Sequence, residues 1–227
     1  MPPLVLLPGM NCTADLWAGC GLDDALTPPL DQHSIEDQVD RLLADLPSRF
    51  VLGGLSLGAI VAMALVVRAP ERVERLCLVS TNAKAPTHEQ LASWQAWIDR
   101  LDAGESPRDL QSDILPALLS SAAAKTRPDL VERTLAMGDA TGVTALRAQL
   151  LMQQTRGDLR AALRDVHTPT LLVSGAQDAI CPPAFHAEIA AELTTVRLVT
   201  VDGGHLLPLE QPDSFGDLVR AWRCRAT

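Results

Sequence analysis

Short apolar runs alternate along much of the chain with longer segments in which apolar residues recur at every third or fourth position. The short runs predict buried strands, at residues 4–7, 50–52, 76–79, 170–173 and 196–201. The longer segments predict helices, at residues 35–46, 57–68, 183–192 and 212–222. Because parallel strands need a crossover connection, this alternation favours a mostly parallel central sheet and an α/β fold class.

Residues 85–160 interrupt the alternation, since they contain no convincing strand but several amphipathic helical patterns. These patterns predict helices at residues 90–101, 107–119, 129–137 and 144–152. Breaks between the helices are expected at three glycines, Gly104, Gly138 and Gly142. We therefore expect an α/β core formed by residues 1–84 and 161–227, with residues 85–160 inserted as a helical cap, or lid.

The composition is that of an ordinary globular domain with an acidic surface. Hydrophobic residues make up 47% and charged residues 21% of the 227 residues, and the formal net charge is −9. A negative surface repels phosphate backbones and anionic lipids, so we expect neither a nucleic-acid nor a membrane partner. No apolar stretch of the sequence approaches the length needed to cross a bilayer.

The cysteines give no sign of a disulfide framework or a metal site. Their number is odd, and they form neither a CxxC pair nor a zinc-ligand spacing: Cys12, Cys20, Cys77, Cys181 and Cys224. This pattern favours a reducing compartment. The chain opens with Met1-Pro2-Pro3 and enters an apolar run without a basic leader, so a cytoplasmic location is expected. The sequence implies no metal and no organic cofactor.

One motif, Gly54-Leu55-Ser56-Leu57-Gly58, lies where a predicted strand turns into a predicted apolar helix. It matches G-x-S-x-G, which places a nucleophilic serine on a sharp strand-to-helix turn. The two glycines let strand and helix approach closely, and the helix N-terminus favours a developing negative charge. The pattern alone also arises by chance, so its position between these elements carries the assignment. The alternative is a glycine-rich turn with an incidental serine.

A serine hydroxyl needs a base to remove its proton, and His205 is the candidate base. It ends the segment Asp202-Gly203-Gly204-His205, which follows the last predicted strand. Catalytic groups of parallel sheets collect at the carboxyl ends of the strands, which is where His205 is expected. His167 precedes a strand and therefore belongs at the opposite end. Taken alone, His205 would be read as a hydrogen-bonded loop residue.

Asp178 is the candidate carboxylate that orients this imidazole and stabilises its charged form. It follows the strand at 170–173 through Gly175-Ala176-Gln177, again at a carboxyl end. The rival acid, Asp202, is too close to His205 in sequence to reach the far ring nitrogen easily. The alternative role for Asp178 is to stabilise a turn.

Acyl transfer also needs N–H donors aimed at the oxyanion. The backbone N–H of Leu57, directly after the serine, is one candidate. The second is the N–H of Met10, in the loop Pro8-Gly9-Met10 that follows the first predicted strand. Since almost any residue supplies a backbone N–H, an ordinary strand-ending turn is the alternative for this loop.

These segments together resemble the α/β-hydrolase superfamily over nearly the whole chain, and the order Ser56, Asp178, His205 is the order of that family. The lid-bearing branch includes carboxylesterases such as the pimeloyl-ester esterases, 3-oxoadipate enol-lactonases and meta-cleavage product hydrolases. The resemblance implies the residue roles given above, with ester or lactone hydrolysis as the commonest activity.

Three features depart from the usual pattern of that branch. The first loop reads Leu7-Pro8-Gly9-Met10 where His-Gly is common, and Leu55 stands where histidine is frequent. The sequence also begins at what resembles the third strand of the fold. That predicts a sheet of about five or six strands with an exposed N-terminal edge, which a homodimer would cover.

Four residues of the cap are candidates for lining a substrate pocket: Trp94, Trp97, Met137 and Met152. For any single apolar residue of the cap, packing between cap helices is the more common role. The arginines of this segment form no cluster that would indicate a strongly anionic substrate, and the sequence alone does not place Arg100, Arg133, Arg147 or Arg156. Cys181, three residues after Asp178, is expected near the site as an inert packing residue.

The leading functional hypothesis is a serine hydrolase that cleaves a small, largely apolar carboxylic ester or lactone through an acyl-enzyme. The same three residues would also serve a thioesterase, a C–C bond hydrolase, or a lyase or cyclase without an acyl-enzyme. A non-enzymatic ligand-binding module is the third hypothesis. It has no need for Ser56, Asp178 and His205 together.

Overall fold

A computed structural model describes residues 2–224, and within them a single wholly parallel sheet contains five strands. The strands are β1 (Leu4–Leu7), β2 (Phe50–Leu55), β3 (Val73–Val79), β4 (Thr170–Gly175) and β5 (Val196–Val201). They lie in the order β1-β2-β3-β4-β5, and every neighbouring pair is parallel. The expected α/β fold class with a parallel central sheet is confirmed.

Ten helices connect and cover these strands in the described part of the chain. They are α1 (Ile35–Asp45), α2 (Leu57–Arg68), α3 (His88–Asp102), α4 (Pro107–Leu118), α5 (Ser121–Thr126), α6 (Pro128–Gln154), α7 (Arg160–Leu163), α8 (Pro183–Glu192), α9 (Leu207–Glu210) and α10 (Pro212–Arg223). The sequence pattern missed α5, α7 and α9, because helices of four to six residues are too short to establish a period.

Alternate residues of the strands enter two separate cores, one on each face of the sheet. Val5, Leu7 and Leu52 belong to the core that contains α2, whereas Leu4 and Leu6 belong to the core on the opposite face. Helix α2 is buried on nearly all sides, as expected for a helix between the sheet and α1. No helix within residues 2–224 combines the length and apolar content needed to cross a membrane.

The segment between β3 and β4 is helical, as predicted, and its helices α3, α4 and α6 share a small core of their own. Helix α6 is interrupted at Gly142, whose φ of 75° is not helical. The break expected at Gly138 is wrong, because Gly138 lies inside α6. A Cβ there would lie 3.2 Å from the carbonyl oxygen of Pro107, so this glycine instead permits close approach of α4. The division into core and cap remains a prediction.

The outer edge of β1 is partly covered by the segment that follows the first loop. The N–H of Leu6 donates to the carbonyl of Leu26, and the N–H of Leu26 donates to the carbonyl of Leu4, both at 2.8 Å. At the opposite edge, β5 exposes Leu198. Part of the edge that the sequence analysis expected to be open is thus hydrogen-bonded within the chain, and a homodimer stays a prediction.

At the start of α2, the backbones of β2, α2 and the end of β1 pack directly against one another. A Cβ on Gly54 would lie 2.4 Å from the carbonyl of Gly58, and a Cβ on Gly58 would lie 2.2 Å from the carbonyl oxygen of Leu7. Neither glycine has a positive φ, so space rather than backbone conformation excludes a side chain. This contact fixes the position of the turn between β2 and α2.

We predict that Gly58→Ala lowers the free energy of unfolding by more than about 3 kcal/mol or prevents folding. The reason is the overlap of the new Cβ with the carbonyls of Leu7 and Pro8. Without that overlap, alanine in a helix would be stabilising by about 1 kcal/mol. Urea denaturation measures the difference, and failure to accumulate soluble protein counts as the same result.

Gly157→Ala is the matched control, because no atom lies within 4 Å of its Cβ position. We expect it to change the stability by no more than about 1 kcal/mol. A Gly58→Ala protein as stable as the wild type would contradict the close packing described here.

Candidate active site

Ser56 lies at the carboxyl end of β2, on the turn that leads directly into α2. Its backbone has φ 52° and ψ −112°, a conformation that L-residues rarely adopt and that typically costs about 1–3 kcal/mol. The Ser56 N–H donates to the carbonyl of Val79, and the Thr81 hydroxyl donates to the Ser56 carbonyl. Bonds to the neighbouring strand and its loop therefore hold the strained residue in place.

His205 and Asp178 are in direct hydrogen-bond contact, in the loops that follow β5 and β4. Nδ1 of His205 lies 2.9 Å from Oδ2 and 3.0 Å from Oδ1 of Asp178, and both side chains are almost wholly buried. Because a carboxylate only accepts hydrogen bonds, Nδ1 carries a proton, so that in the neutral form of the ring the free lone pair is on Nε2. The pair is thus an imidazole oriented by a carboxylate.

The Asp178 carboxylate is kept charged despite its burial. Burial alone would raise the pKa of Asp178, since it disfavours the charged form. The hydrogen bond and charge of His205, with two N–H donors, outweigh burial and hold the pKa below its ordinary value. Those donors are the N–H groups of Ile180 and Cys181, at 2.9 and 2.8 Å from Oδ1.

The loops that carry Asp178 and His205 touch through glycine backbone. A Cβ on Gly175 would lie 2.3 Å from the carbonyl oxygen of Gly204, and the Gln177 N–H donates to the carbonyl of Gly203. The rival acid, Asp202, is exposed and accepts a hydrogen bond from the Gln177 side chain instead. The structure therefore joins His205 to Asp178.

Glu210, in α9, ties the His205 loop to the helical segment. Its Oε1 accepts from the N–H groups of Gly204 and Ser120, both at 2.9 Å, and its Oε2 accepts from the Ser120 hydroxyl. A second tie joins the N–H of Leu206 to the carbonyl of Leu118 at 2.9 Å. No sequence motif marked Glu210, because its partners come from segments far apart in the chain.

The two backbone N–H groups predicted as oxyanion donors make no hydrogen bond to any atom of residues 2–224. Leu57 is the first residue of α2, where an N–H has no acceptor within the helix, and Met10 follows β1. The Met10 loop is anchored by the buried Asn11, whose side chain donates to Gln111 and to the Pro107 carbonyl. Asn11 has a φ of 56°, a conformation that asparagine tolerates well.

A cavity of about 290 Å³ lies above these groups, between the sheet edge and the helical segment. Ser56, His205 and Met10 all line it, so the structure brings the candidate nucleophile, base and one oxyanion donor to a common space. Much of the remaining lining is apolar: Cys12, Leu55, Ile60, Trp94, Ile114, Leu118, Ile180, Cys181 and Leu206.

Of the four cap residues predicted as pocket candidates, Trp94 lines this cavity and the other three do not. Trp97 packs against the small core of the helical segment. Met137 and Met152 are buried in the two cores on either side of the sheet. The expectation for Trp97, Met137 and Met152 was wrong because apolar spacing predicts the buried side of a helix without predicting what covers it.

Seven polar residues of the lining carried no sequence signal as site residues: Thr81, Asn82, Glu89, Gln90, Ser93, Gln153 and Arg156. They come from the loop after β3 and from the helical segment, outside any motif. Their side chains add polar surface to a cavity whose remaining lining is largely apolar.

His186 and Cys181 are close to the site, but their chemistry makes both poor nucleophiles or bases. Nε2 of the buried His186 accepts from the N–H of Thr81, and burial lowers the pKa of His186 to about 4, so it is neutral. Burial, followed by the charge of Asp178, raises the pKa of the Cys181 thiol to about 12. Within residues 2–224, no three His, Cys, Asp or Glu side chains cluster as metal ligands would.

The sequence and the fold of this chain are similar to those of known proteins. A model of the alpha/beta hydrolase family matches residues 5–218. The pimeloyl-[acyl-carrier protein] methyl ester esterase of Aromatoleum aromaticum is 33% identical, over 96% of each chain. A thermophilic esterase from Thermogutta terrifontis has a TM-score of 0.89 at 25% identity, over 98% of this chain and 89% of its own. The enol-lactonase from Burkholderia xenovorans shares the fold, with a TM-score of 0.86 at 21% identity, over 99% and 92%. This chain belongs to the alpha/beta hydrolase family.

Proposed function

We propose that this protein is a carboxylic-ester hydrolase that works through an acyl-enzyme on Ser56. The observation that carries the proposal is the buried hydrogen bond from His205 Nδ1 to the Asp178 carboxylate, with Ser56 and His205 lining one cavity. An oriented base that shares a cavity with a serine on a strained turn is an arrangement that serine hydrolases use. The relatives named as esterases support the same reaction class.

In the first half of the proposed reaction, the Ser56 Oγ attacks the ester carbonyl carbon while His205 Nε2 takes the hydroxyl proton. The carbonyl π electrons move to oxygen, and the resulting oxyanion accepts hydrogen bonds from the N–H groups of Met10 and Leu57. When the carbonyl reforms, the C–O bond to the alcohol breaks and His205 returns the proton to the leaving oxygen. The products are an alcohol and an ester of Ser56.

In the second half, water replaces the alcohol. His205 Nε2 takes a proton from water as its oxygen attacks the acyl carbon, and the same two N–H groups stabilise the second oxyanion. Collapse expels the Ser56 oxygen, which recovers its proton from His205. The carboxylic acid leaves, and the net reaction is ester plus water to acid plus alcohol. Throughout, the charged Asp178 keeps the proton on His205 Nδ1 and stabilises the imidazolium.

The cavity supports a small substrate, since about 290 Å³ lies at the low end of the range for ligand pockets. We propose that residues 85–160 act as the lid of this cavity, since Trp94, Ile114 and Leu118 of this segment line it. One relative is named for a methyl ester, so methyl esters of short acids are the first substrates to test.

A fluorophosphonate tests for an activated Ser56, because it phosphonylates serines whose proton is removed by a neighbouring base. We expect intact-protein mass spectrometry to give one adduct on the wild type and none on Ser56→Ala. Ser80, which also has a positive φ but does not line the cavity, provides the control Ser80→Ala, which should label like the wild type.

No adduct on a folded wild type would overturn the proposal and favour a binding module. Labelling of Ser56 without turnover of any ester, lactone or thioester would keep the activated serine but shift the reaction to C–C bond cleavage or a lyase. A panel of methyl esters, lactones and thioesters separates these results.

Asp178→Asn tests the role of the carboxylate. The amide oxygen of the new side chain can still accept the N–H groups of Ile180 and Cys181, so we expect the fold to survive. The amide would favour the wrong tautomer of His205, and kcat should fall by roughly 10³–10⁴-fold. Asp202→Asn, which alters the neighbouring exposed acid, should leave kcat unchanged. Equal kcat values for Asp178→Asn and the wild type would remove Asp178 from the mechanism.

Glu210→Ala tests the tie between the His205 loop and the lid. The N–H groups of Ser120 and Gly204 would lose their acceptor, which should cost about 2 kcal/mol or more of stability and lower kcat. Glu210→Gln keeps one carbonyl oxygen and should lose less. Glu132→Ala removes an exposed ion pair with Arg108 and should cost less than about 1 kcal/mol. Denaturation and ester hydrolysis are measured on all three variants. A Glu210→Ala protein as stable and as active as Glu132→Ala would contradict this role of Glu210.

A further inference from the structure

Arg156 is a buried cation in the wall of the candidate active-site cavity. It follows α6, lines the same cavity as Ser56 and His205, and is only 6% exposed. Its Nη1 donates to Gln153 Oε1 at 3.2 Å, and its Nη2 donates to Gln90 Oε1 at 3.0 Å. The guanidinium carbon lies 5.1 Å from the centre of the Trp94 ring. Neutral groups therefore hold the guanidinium plane in place.

No carboxylate within residues 2–224 forms an ion pair with Arg156. Other arginines of the helical segment are paired at the surface, as Arg147 is with Asp102. One carboxylate, that of the exposed Glu89, also lines the cavity, but it lies beyond ion-pair distance from Arg156. Solvent screens an exposed carboxylate of this kind.

The Arg156 guanidinium has hydrogen-bonding capacity left over. Of the five N–H donors of an arginine, the two glutamine oxygens occupy two, and the buried Nε has no acceptor within residues 2–224. Burying a charged group without a counter-charge is unfavourable, and burial lowers the pKa of Arg156 accordingly. A carboxylate that enters the cavity would supply both the missing acceptor and the missing charge.

On the basis of the proposed function, we infer that Arg156 binds a free carboxylate of the substrate. The substrate class is then an ester that carries a second, ionised carboxyl group, such as the monoester of a short dicarboxylic acid. The ester end lies at Ser56 and the carboxylate at Arg156, with the apolar lining around the methylene spacer. The Arg156 guanidinium, with Gln90 and Gln153 that hold it, then has a role in binding that a wholly apolar ester would not require.

The first test compares two substrates of matched shape on the wild-type protein. Monomethyl adipate carries a carboxylate, and methyl adipamate carries a neutral amide in its place. We expect kcat/KM to be roughly 30-fold or more higher for the acid, as a buried charge pair implies. The monomethyl esters of succinate, glutarate, pimelate and suberate should show one preferred spacer length. Equal kcat/KM for acid and amide at every length would overturn the inference while leaving ester hydrolysis intact.

The second test removes the charge. Arg156→Met keeps the length of the side chain and should abolish the preference for the acid, so that kcat/KM for monomethyl adipate falls to the value for methyl adipamate. Arg156→Lys keeps a charge and should retain part of the preference. Arg147→Met removes a surface cation of the same segment and should behave like the wild type. A preference for the acid that survives in a folded Arg156→Met protein would assign it to another group.

The third test separates the carboxylate site from the chemistry. Ser56→Ala protein cannot form an acyl-enzyme, so calorimetry reports binding of monomethyl adipate and methyl adipamate without turnover. We expect the acid to bind roughly 30-fold or more tightly than the amide, and Ser56→Ala/Arg156→Met to bind both equally weakly. If Ser56→Ala binds the acid selectively but the wild type does not react with the fluorophosphonate, the proposed hydrolase is overturned and the carboxylate site is kept. Equal binding of acid and amide would overturn the carboxylate site and leave the proposed hydrolase intact.

Discussion

Backbone atoms meet without intervening side chains at two places along the carboxyl edge of the sheet, and the whole candidate site depends on these contacts. At one, Gly58 lies against the carbonyls of Leu7 and Pro8, which fixes the turn that carries Ser56. At the other, Gly175 lies against the carbonyls of Gly203 and Gly204, which brings the loops of β4 and β5 together. Because all five strands run parallel, both contacts form on the same edge. Hydrogen bonds then add orientation to groups that steric contact has already brought close.

The parts of this arrangement that were predictable from sequence are those with a local signature. Strands, long helices and the glycine-flanked Ser56 follow from short-range patterns, and parallel strand direction predicts that Asp178 and His205 lie at one edge. What was missed depends on tertiary contacts. Trp94 faces the cavity while Met152 faces the core, although both have helical apolar spacing. Gly138 lies inside a helix, where it permits another helix to approach closely. Arg156 lines the cavity only because the segment around it folds back over the sheet.

The cavity combines two chemical environments that a single sequence motif would not reveal. Much of its lining is apolar, and an apolar surrounding strengthens electrostatic interactions inside it. Around Arg156 two amide oxygens and an indole ring hold a cation without neutralising it. Glutamine oxygens are well suited to this purpose, because they fix the guanidinium plane but leave its charge available. Under the proposed function, selectivity for a charged group and reactivity at a carbonyl belong to different side chains that line the same cavity.

The ties between the helical segment and the sheet edge have a thermodynamic consequence. Leu118 and Ser120 bond to the backbone and to Glu210 around His205, while Gln111 and Gln149 bond to Asn11 beside Met10. Any opening that lifts these residues also releases the loops of the candidate base and oxyanion donor. If residues 85–160 act as the proposed lid, admission of a ligand and assembly of the site are a single coupled equilibrium, in which a ligand that favours closure also favours order in the loops beneath it.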